Sequence, residues 1–296
     1  VVSQPIDLAY AACAALAEAH YENFPVASRL LPPAMRPHIA AVYAFARFAD
    51  DIADEGHEPP AARTDRLAAW QQRLHDHVRV PGAPTPMAAR DDLIIAATAH
   101  TIDTCGLPLS LFDDLVSAFA QDIMTNRYDS WNEVIDYCRR SANPIGRLVL
   151  LIGGYRDDLL CRSSDSLCTG LQLANFWQDF GRDWRAGRLY VPADVRDEAG
   201  ASEADLHEGR LTASWADALA TCIARTRTCF EQGRYVCDAV RGRLRLELRF
   251  TWLGGARILE RADARRSSLL TVRPTLGAAD LPALMWQAAR WRRVTA

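Results

Sequence analysis

The chain contains no lysine: all 34 of its basic residues are arginine. That absence excludes whole mechanisms, because neither a Schiff base to a carbonyl or pyridoxal phosphate nor a phosphate-loop lysine can be built. Alternating strand patterns with hairpin signals are nearly missing, as are a dinucleotide fingerprint and the inward ExxH pairs of a di-iron or di-manganese bundle. The eight cysteines (13, 105, 138, 161, 168, 222, 229 and 237) form no CxxC pair, and no histidines stand at metal-ligand spacing. His75 and His77 flank Asp76 but diverge on a helix, and read as surface residues. Cys222 and Cys229 fit one helix face as small core residues, and free thiols suit a reducing cytoplasm. Val1 to His20 lacks the basic start of a secretion signal, and none is expected there. No apolar stretch, Leu148 to Gly154 included, approaches the ~20 residues of a membrane span. With a net charge of −3, there is no basic excess for nucleic acid, and no such partner is expected.

What is present is helical periodicity almost throughout. With 296 residues and 49% hydrophobic content the chain can bury a large core, and one domain over 1–296 is preferred to two smaller ones. The pattern predicts an all-α fold with helices near 6–20, 35–54, 61–79, 87–105, 110–126, 131–153, 164–185, 213–240, 243–266 and 282–293. Punctuation agrees: Gly56, PGAPTP at 81–86, Gly106-Leu107-Pro108, and a capping box at Ser130-Trp131-Asn132-Glu133.

Two polar stripes stand out: Tyr43, Arg47, Asp50 and Asp54, and then Gln172, Asn175, Asp179 and Asp183. Each runs eleven steps from its first member to its last. At ~100° per residue, eleven helical steps return to within about 20° of the start, so the members of a stripe share a direction. Ile39, Val42, Phe45, Phe48 and Ile52, with many alanines, make the rest of the first segment apolar. A helix wrapped that fully should turn its polar line inward rather than to solvent. Two opposed acidic stripes would cage divalent cations. Unaided they would reject a polyanion, since unit charges ~4 Å apart repel by roughly 4 kcal/mol at an effective dielectric of 20. Magnesium, or manganese as the alternative, reverses that sign by taking carboxylate, amide and phosphate oxygens together. Asp50, Asp54, Asn175, Asp179 and Asp183 are the expected metal ligands, with Asp51 just outside.

The surrounding text, YAFARFADDIAD and LQLANFWQDFGRDWRAGRLYVP, resembles the two aspartate-rich motifs of the squalene/phytoene synthase family, and the likeness runs from about His20 to Arg273. It implies a single isoprenoid-synthase bundle around a central cavity, in which magnesium assists ionisation of a prenyl diphosphate. Tyr43, Arg47, Asp50, Asp54, Gln172, Asn175, Asp179 and Asp183 match the two motifs. Tyr137-Cys138 leading to Ala142 and Gly146 resembles a third segment, whose tyrosine lines the cavity. The resemblance further implies substrate contacts by His20, Phe24, Arg47, Tyr137, Asn143, Arg188, Tyr190 and Arg273. Of these, Arg47, Arg188 and Arg273 would clamp phosphate.

Several departures point to one branch. His20-Tyr21-Glu22-Asn23-Phe24 replaces an HSKSF-like segment, SANPIG carries Pro144 inside the third segment, Gln178 precedes Asp179, and Gly255 stands about where relatives have a tyrosine. Together with NFWQD these resemble the bacterial hopanoid-pathway branch, which receives presqualene diphosphate from a sister enzyme and turns it, with water, into hydroxysqualene and diphosphate. Condensing squalene, dehydrosqualene or phytoene synthesis from two prenyl diphosphates is the alternative, and a non-catalytic helical assembly protein ranks below both. No NADPH is expected. Aromatic walls could steady a carbocation, with Phe24, Phe45, Phe48, Tyr137, Phe176, Trp177 and Phe180 as candidates, although core packing is the better reading for each except Tyr137. Tyr43, Tyr137, Asn143 and Gln172 could position the capturing water. The C-terminal LPALMWQAARWRR could lie on an anionic membrane or pack on the bundle, so the expected location is the cytoplasm or the inner membrane face.

Overall fold

The computed structural model describes residues 5–19, 30–54, 58–80 and 88–291. His20 and Phe24 lie outside the described residues, as do Gly56 and the PGAPTP segment. Every named element in the described residues is helical, and β-pairing there is confined to an isolated bridge between Arg127 and Leu189.

The chain groups into two compact units, one of residues 1–124 and 144–157, the other of 125–143 and 158–296. The first contains α1 (Pro5–Ala19), α2 (Arg36–Asp54), α3 (Pro60–Arg79), α4 (Arg90–Cys105), α5 (Ser110–Met124) and most of α7 (Asn143–Ile152). At its centre α2 buries Phe45 together with Ala40, Ala41, Ala44 and Ala49, and the alanines let α1, α4 and α5 pack closely around it. Phe45 and Phe48 both stack on Trp70, with ring centres 5.4 and 4.2 Å away. They are core residues.

The second unit contains α6 (Trp131–Ser141), α8 (Asp158–Gln178), α9 (Phe180–Arg185), α10 (Ala193–Ala199), α11 (Glu203–His207), α12 (Ala213–Gln232), α13 (Val236–Ala239), α14 (Gly242–Ala264) and α15 (Leu281–Ala289). Here α8 is central, touching α6, α12, α13 and α14. Close approach requires glycine: a Cβ on Gly233 would stand 2.6 Å from the backbone nitrogen of Leu167. The expected capping box at α6 forms with one shift. Ser130 Oγ accepts from the Glu133 amide at 3.4 Å, while the Glu133 carboxylate accepts from Asp129 N–H at 2.8 Å, one residue earlier than the cap.

Three predicted helices are divided. The one expected at 131–153 breaks at Ala142, because Pro144 cannot donate and disfavours helical backbone just ahead of it. The one expected at 164–185 starts earlier, at Asp158, and is interrupted at Asp179 (φ −96°, ψ 10°). The one expected at 213–240 ends at Gln232, ahead of Gly233. Helices α10 and α11 are too short for a periodic pattern and were not expected.

Cys222 is buried as expected, and Cys229 is half-buried against Gly170. Burial pushes the thiols of Cys13 and Cys237 up to about 12, and those of Cys138 and Cys222 well above the ordinary value. A folded pKa raised in this way leaves stability intact below the unfolded thiol value near 8.5. Stability is then lost as pH rises towards the folded value, by up to about 1.4 kcal/mol per pH unit for each thiol. The thermal midpoint should therefore fall between pH 8 and 10, and less steeply for Cys237→Ala. A flat profile would contradict the burial. In native protein at neutral pH, these four thiols should react with a thiol reagent only as fast as the chain opens.

Candidate functional site

In the first unit the polar line runs along α2 as the spacing implies. Tyr43, Arg47 and Asp50 are half-buried, Asp54 is exposed at the helix end, and the remaining circumference is largely buried. Arg47 binds Asp51 at 2.7 Å and Asp50 at 3.5 Å. Asp51, expected just outside the metal ligands, is thus the closer partner of Arg47. Burial alone would lower the Arg47 pKa, but Asp51 and Asp50 outweigh it and raise it. Burial also pushes Tyr43 up, so its phenol stays protonated at neutral pH and can donate a hydrogen bond.

In the second unit Gln172 and Asn175 lie on α8, Asp179 at the break and Asp183 on α9. The row survives the break because Asp179 N–H still donates to Asn175 O, and Asp183 N–H to Asp179 O, both at 2.8 Å. Asn175 Nδ2 donates to Asp179 Oδ2 at 3.2 Å. Asp179 is 8% exposed, and its carboxylate is held by Arg273, through Nε and through Nη2 at 3.3 Å. Gly181 explains how residue 273 reaches residue 179. A Cβ there would meet the Leu270 carbonyl oxygen at 2.1 Å, so only glycine lets the 269–274 segment lie against α9. Gln178 fastens the same segment by donating to Pro274 O at 2.7 Å. Arg273, expected on phosphate, here pairs with a predicted metal ligand.

Tyr137 lies in a nest of rings with Tyr128, Phe176 and Tyr190. Phe176 and Tyr190 stack with centres 3.7 Å apart, and Tyr137 lies 5.9–6.2 Å from the other three. Tyr128 was not foreseen from sequence. It is placed by hydrogen bonds between 126–129 and 189–194, such as Leu189 N–H to Asn126 O at 3.0 Å and Ala193 N–H to Tyr128 O at 2.9 Å, which no sequence pattern announces. Arg127, also unforeseen, secures the turn by donating to Gly187 O at 2.6 Å and by gripping Glu203. Asp183, Arg188 and Tyr190 line a narrow crevice with Phe176, Trp177 and Phe180. Trp177 and Phe180 are nevertheless packing residues. Trp177 donates to Thr226 Oγ1 at 2.8 Å, and Phe180 lies 5.8 Å from the Trp215 ring. Asn143 is buried, with its amide oxygen accepting from Thr169 Oγ1 at 2.9 Å.

The donors in both rows are hard oxygens, the set that suits magnesium. Among the described residues no three His, Cys, Asp or Glu side chains converge tightly enough to hold an ion by themselves. A magnesium ion needs only one or two carboxylates when phosphate oxygens and water complete its shell, so the residues fit.

A model of the squalene/phytoene synthase family matches residues 17–280, and the chain belongs to that family. It is 38% identical over 213 residues to a hydroxysqualene synthase of Zymomonas mobilis, covering 71% of this chain and 68% of that protein. A hydroxysqualene synthase of Rhodopseudomonas palustris is 37% identical over 229 residues, covering 77% and 74%. Among solved structures, squalene synthase HpnC from Alicyclobacillus acidocaldarius has a TM-score of 0.80 at 36% identity, covering 88% of this chain and 95% of that one. A dehydrosqualene synthase shares the fold, with a TM-score of 0.82 at 18% identity over 97% of both chains.

Gly181→Ala should push the 269–274 segment off α9 and cost about 1–3 kcal/mol, lowering the thermal midpoint by several degrees. Arg273→Gln should speed hydrogen exchange at the amides of 269–273. Unchanged exchange would show that the Asp179 pair does not hold the segment.

Proposed function

We propose that the chain converts presqualene diphosphate and water into hydroxysqualene and diphosphate. The observation that carries this reading is the 35–38% identity to three hydroxysqualene synthases, joined to two acid rows with every aspartate present. The carbon–oxygen bond to diphosphate breaks with its electron pair on the leaving group. The cyclopropylcarbinyl cation opens, and a water oxygen forms the new carbon–oxygen bond and loses its proton.

Asp50, Asp54, Asn175, Asp179 and Asp183 would hold magnesium, which when bound supplies Lewis-acid stabilisation of the departing diphosphate. Arg47, Arg188 and Arg273 take phosphate oxygens in pairs, as planar guanidinium allows. The faces of Tyr137, Phe176 and Tyr190 steady the cation and keep bulk water away until it has rearranged. The neutral Tyr43 phenol, or the amides of Gln172 and Asn143, orient the capturing water. No step calls for NADPH. The chain acts as one domain, taking its substrate from a sister presqualene diphosphate synthase at the inner membrane face.

The 36% identical neighbour bearing the name squalene synthase favours a second reading, condensation of two prenyl diphosphates. Substrate choice separates them. On the leading reading, presqualene diphosphate with magnesium yields hydroxysqualene, and farnesyl diphosphate alone yields no C30 product. C30 product from farnesyl diphosphate alone would replace the leading reading with the second. Tyr137→Ala should change the ratio of hydroxysqualene to other C30 products more than it changes diphosphate release, and an unaltered ratio would remove Tyr137 from the cavity wall.

A further inference from the structure

Two contacts that tie α6 and the residues after it to α8 differ in kind. Tyr137 on α6 and Phe176 on α8 bring their ring centres to 6.1 Å, and past the break at Ala142, Asn143 Oδ1 accepts from Thr169 Oγ1 at 2.9 Å. Thr169 stands seven residues before Phe176 on α8 and Gln172 stands four before it, so at ~100° per residue they point within about 20° and 40° of its direction. The hydrogen bond thus brings Asn143 to the face of α8 that carries Phe176 and the start of the polar row. Both partners are buried, at 8 and 7% exposure. An apolar pair of the same shape would serve packing about as well.

Thr169 also directs its proton unlike other buried helical threonines. Thr98 on α4 and Thr226 on α12 donate to the carbonyl four residues earlier, Ile94 O at 2.7 Å and Cys222 O at 2.8 Å. Thr169 donates to the Asn143 side chain instead. That bond sets the orientation of the amide: its oxygen is turned to Thr169, its two N–H donors are left for another partner, and Thr169 Oγ1 keeps lone pairs with which to accept.

We propose that Thr169 is a positioning residue that orients the Asn143 amide to hold the water of the capture step. The assignment rests on the proposed reaction, and it selects Asn143 from the three groups named for that water. An Asn143 N–H donates to the water oxygen, and the water donates one O–H to Thr169 Oγ1, which leaves a lone pair free to form the bond to the carbocation. The proton lost on capture passes to solvent water. Neither an amide nor a hydroxyl is a base at neutral pH, so the pair holds water without drawing a proton from the carbon skeleton. Capture is thereby favoured over elimination.

The test is product analysis from presqualene diphosphate with magnesium for the parent, Thr169→Val, Thr169→Ser and Asn143→Leu, with diphosphate release measured in the same reactions. Valine keeps the shape of threonine but cannot donate. Thr169→Val should lower the share of hydroxysqualene among the C30 products at least about threefold, with elimination products in its place, while diphosphate release falls much less. Thr169→Ser should restore the parent's share. Asn143→Leu should lose hydroxysqualene as Thr169→Val does, and it decides the matter if the valine variant does not fold, because the freed Thr169 hydroxyl can turn to the Asp165 carbonyl. An unchanged share in Thr169→Val or Asn143→Leu, release that falls as far as hydroxysqualene does, or a serine variant no better than valine would overturn the assignment. A parent that forms no hydroxysqualene refutes the reaction itself, and the assignment with it, which sets that failure apart from the others.

Discussion

A carboxylate held below the surface needs a cation. In the first unit Arg47 serves Asp50 and Asp51, and in the second Arg273 serves the nearly buried Asp179. Leaving such an acid without a counter-charge is expensive, and in a chain without lysine a guanidinium is the side chain left to supply one, apart from histidine. On the proposed reading the same arginines serve twice. They neutralise the acid rows in this structure, and with a diphosphate bound Asp50, Asp54, Asn175, Asp179 and Asp183 would hold magnesium while Arg47 and Arg273 would engage phosphate oxygens.

That constraint explains why the surroundings of the rows are built as they are. Helix α2 buries most of its small and apolar side chains, and its polar line is left half-buried, exposed only at Asp54. The break at Asp179 would cost a continuous helix its direction, yet the backbone bonds across it keep the row in register. Gly181 then admits the segment that carries Arg273. The ring nest of Tyr128, Tyr137, Phe176 and Tyr190 adjoins Asp183 and Arg188, bringing an apolar wall to the edge of an anion-handling surface.

Much of this was legible in the sequence. Polar stripes recurring over eleven helical steps in apolar text located α2 and the α8–α9 row, and the motifs around them pointed to the squalene/phytoene synthase family to which the chain belongs. The third-segment Pro144 marked the division between α6 and α7, although the helix was expected to run through it. What stayed hidden depended on contacts between distant residues. Nothing near Asp179 announces that Arg273 will reach it, because that pairing rests on the absence of a Cβ at Gly181. Tyr128 and Arg127 precede α6 in ordinary loop text, and they gain a role only when 126–129 pairs with 189–194. Helices of five to seven residues, such as α10 and α11, are shorter than the period a pattern needs.

The central proposal is that the aspartates of each row act through a divalent ion in diphosphate release. It is tested most directly by the initial rate of diphosphate release from presqualene diphosphate across a magnesium titration, for the parent chain and for Asp54→Asn and Asp179→Asn. The account predicts release that depends on magnesium and falls by about a hundredfold or more in each variant, with circular dichroism unchanged. Release that persists without a divalent ion, or that survives the loss of either aspartate, would contradict it.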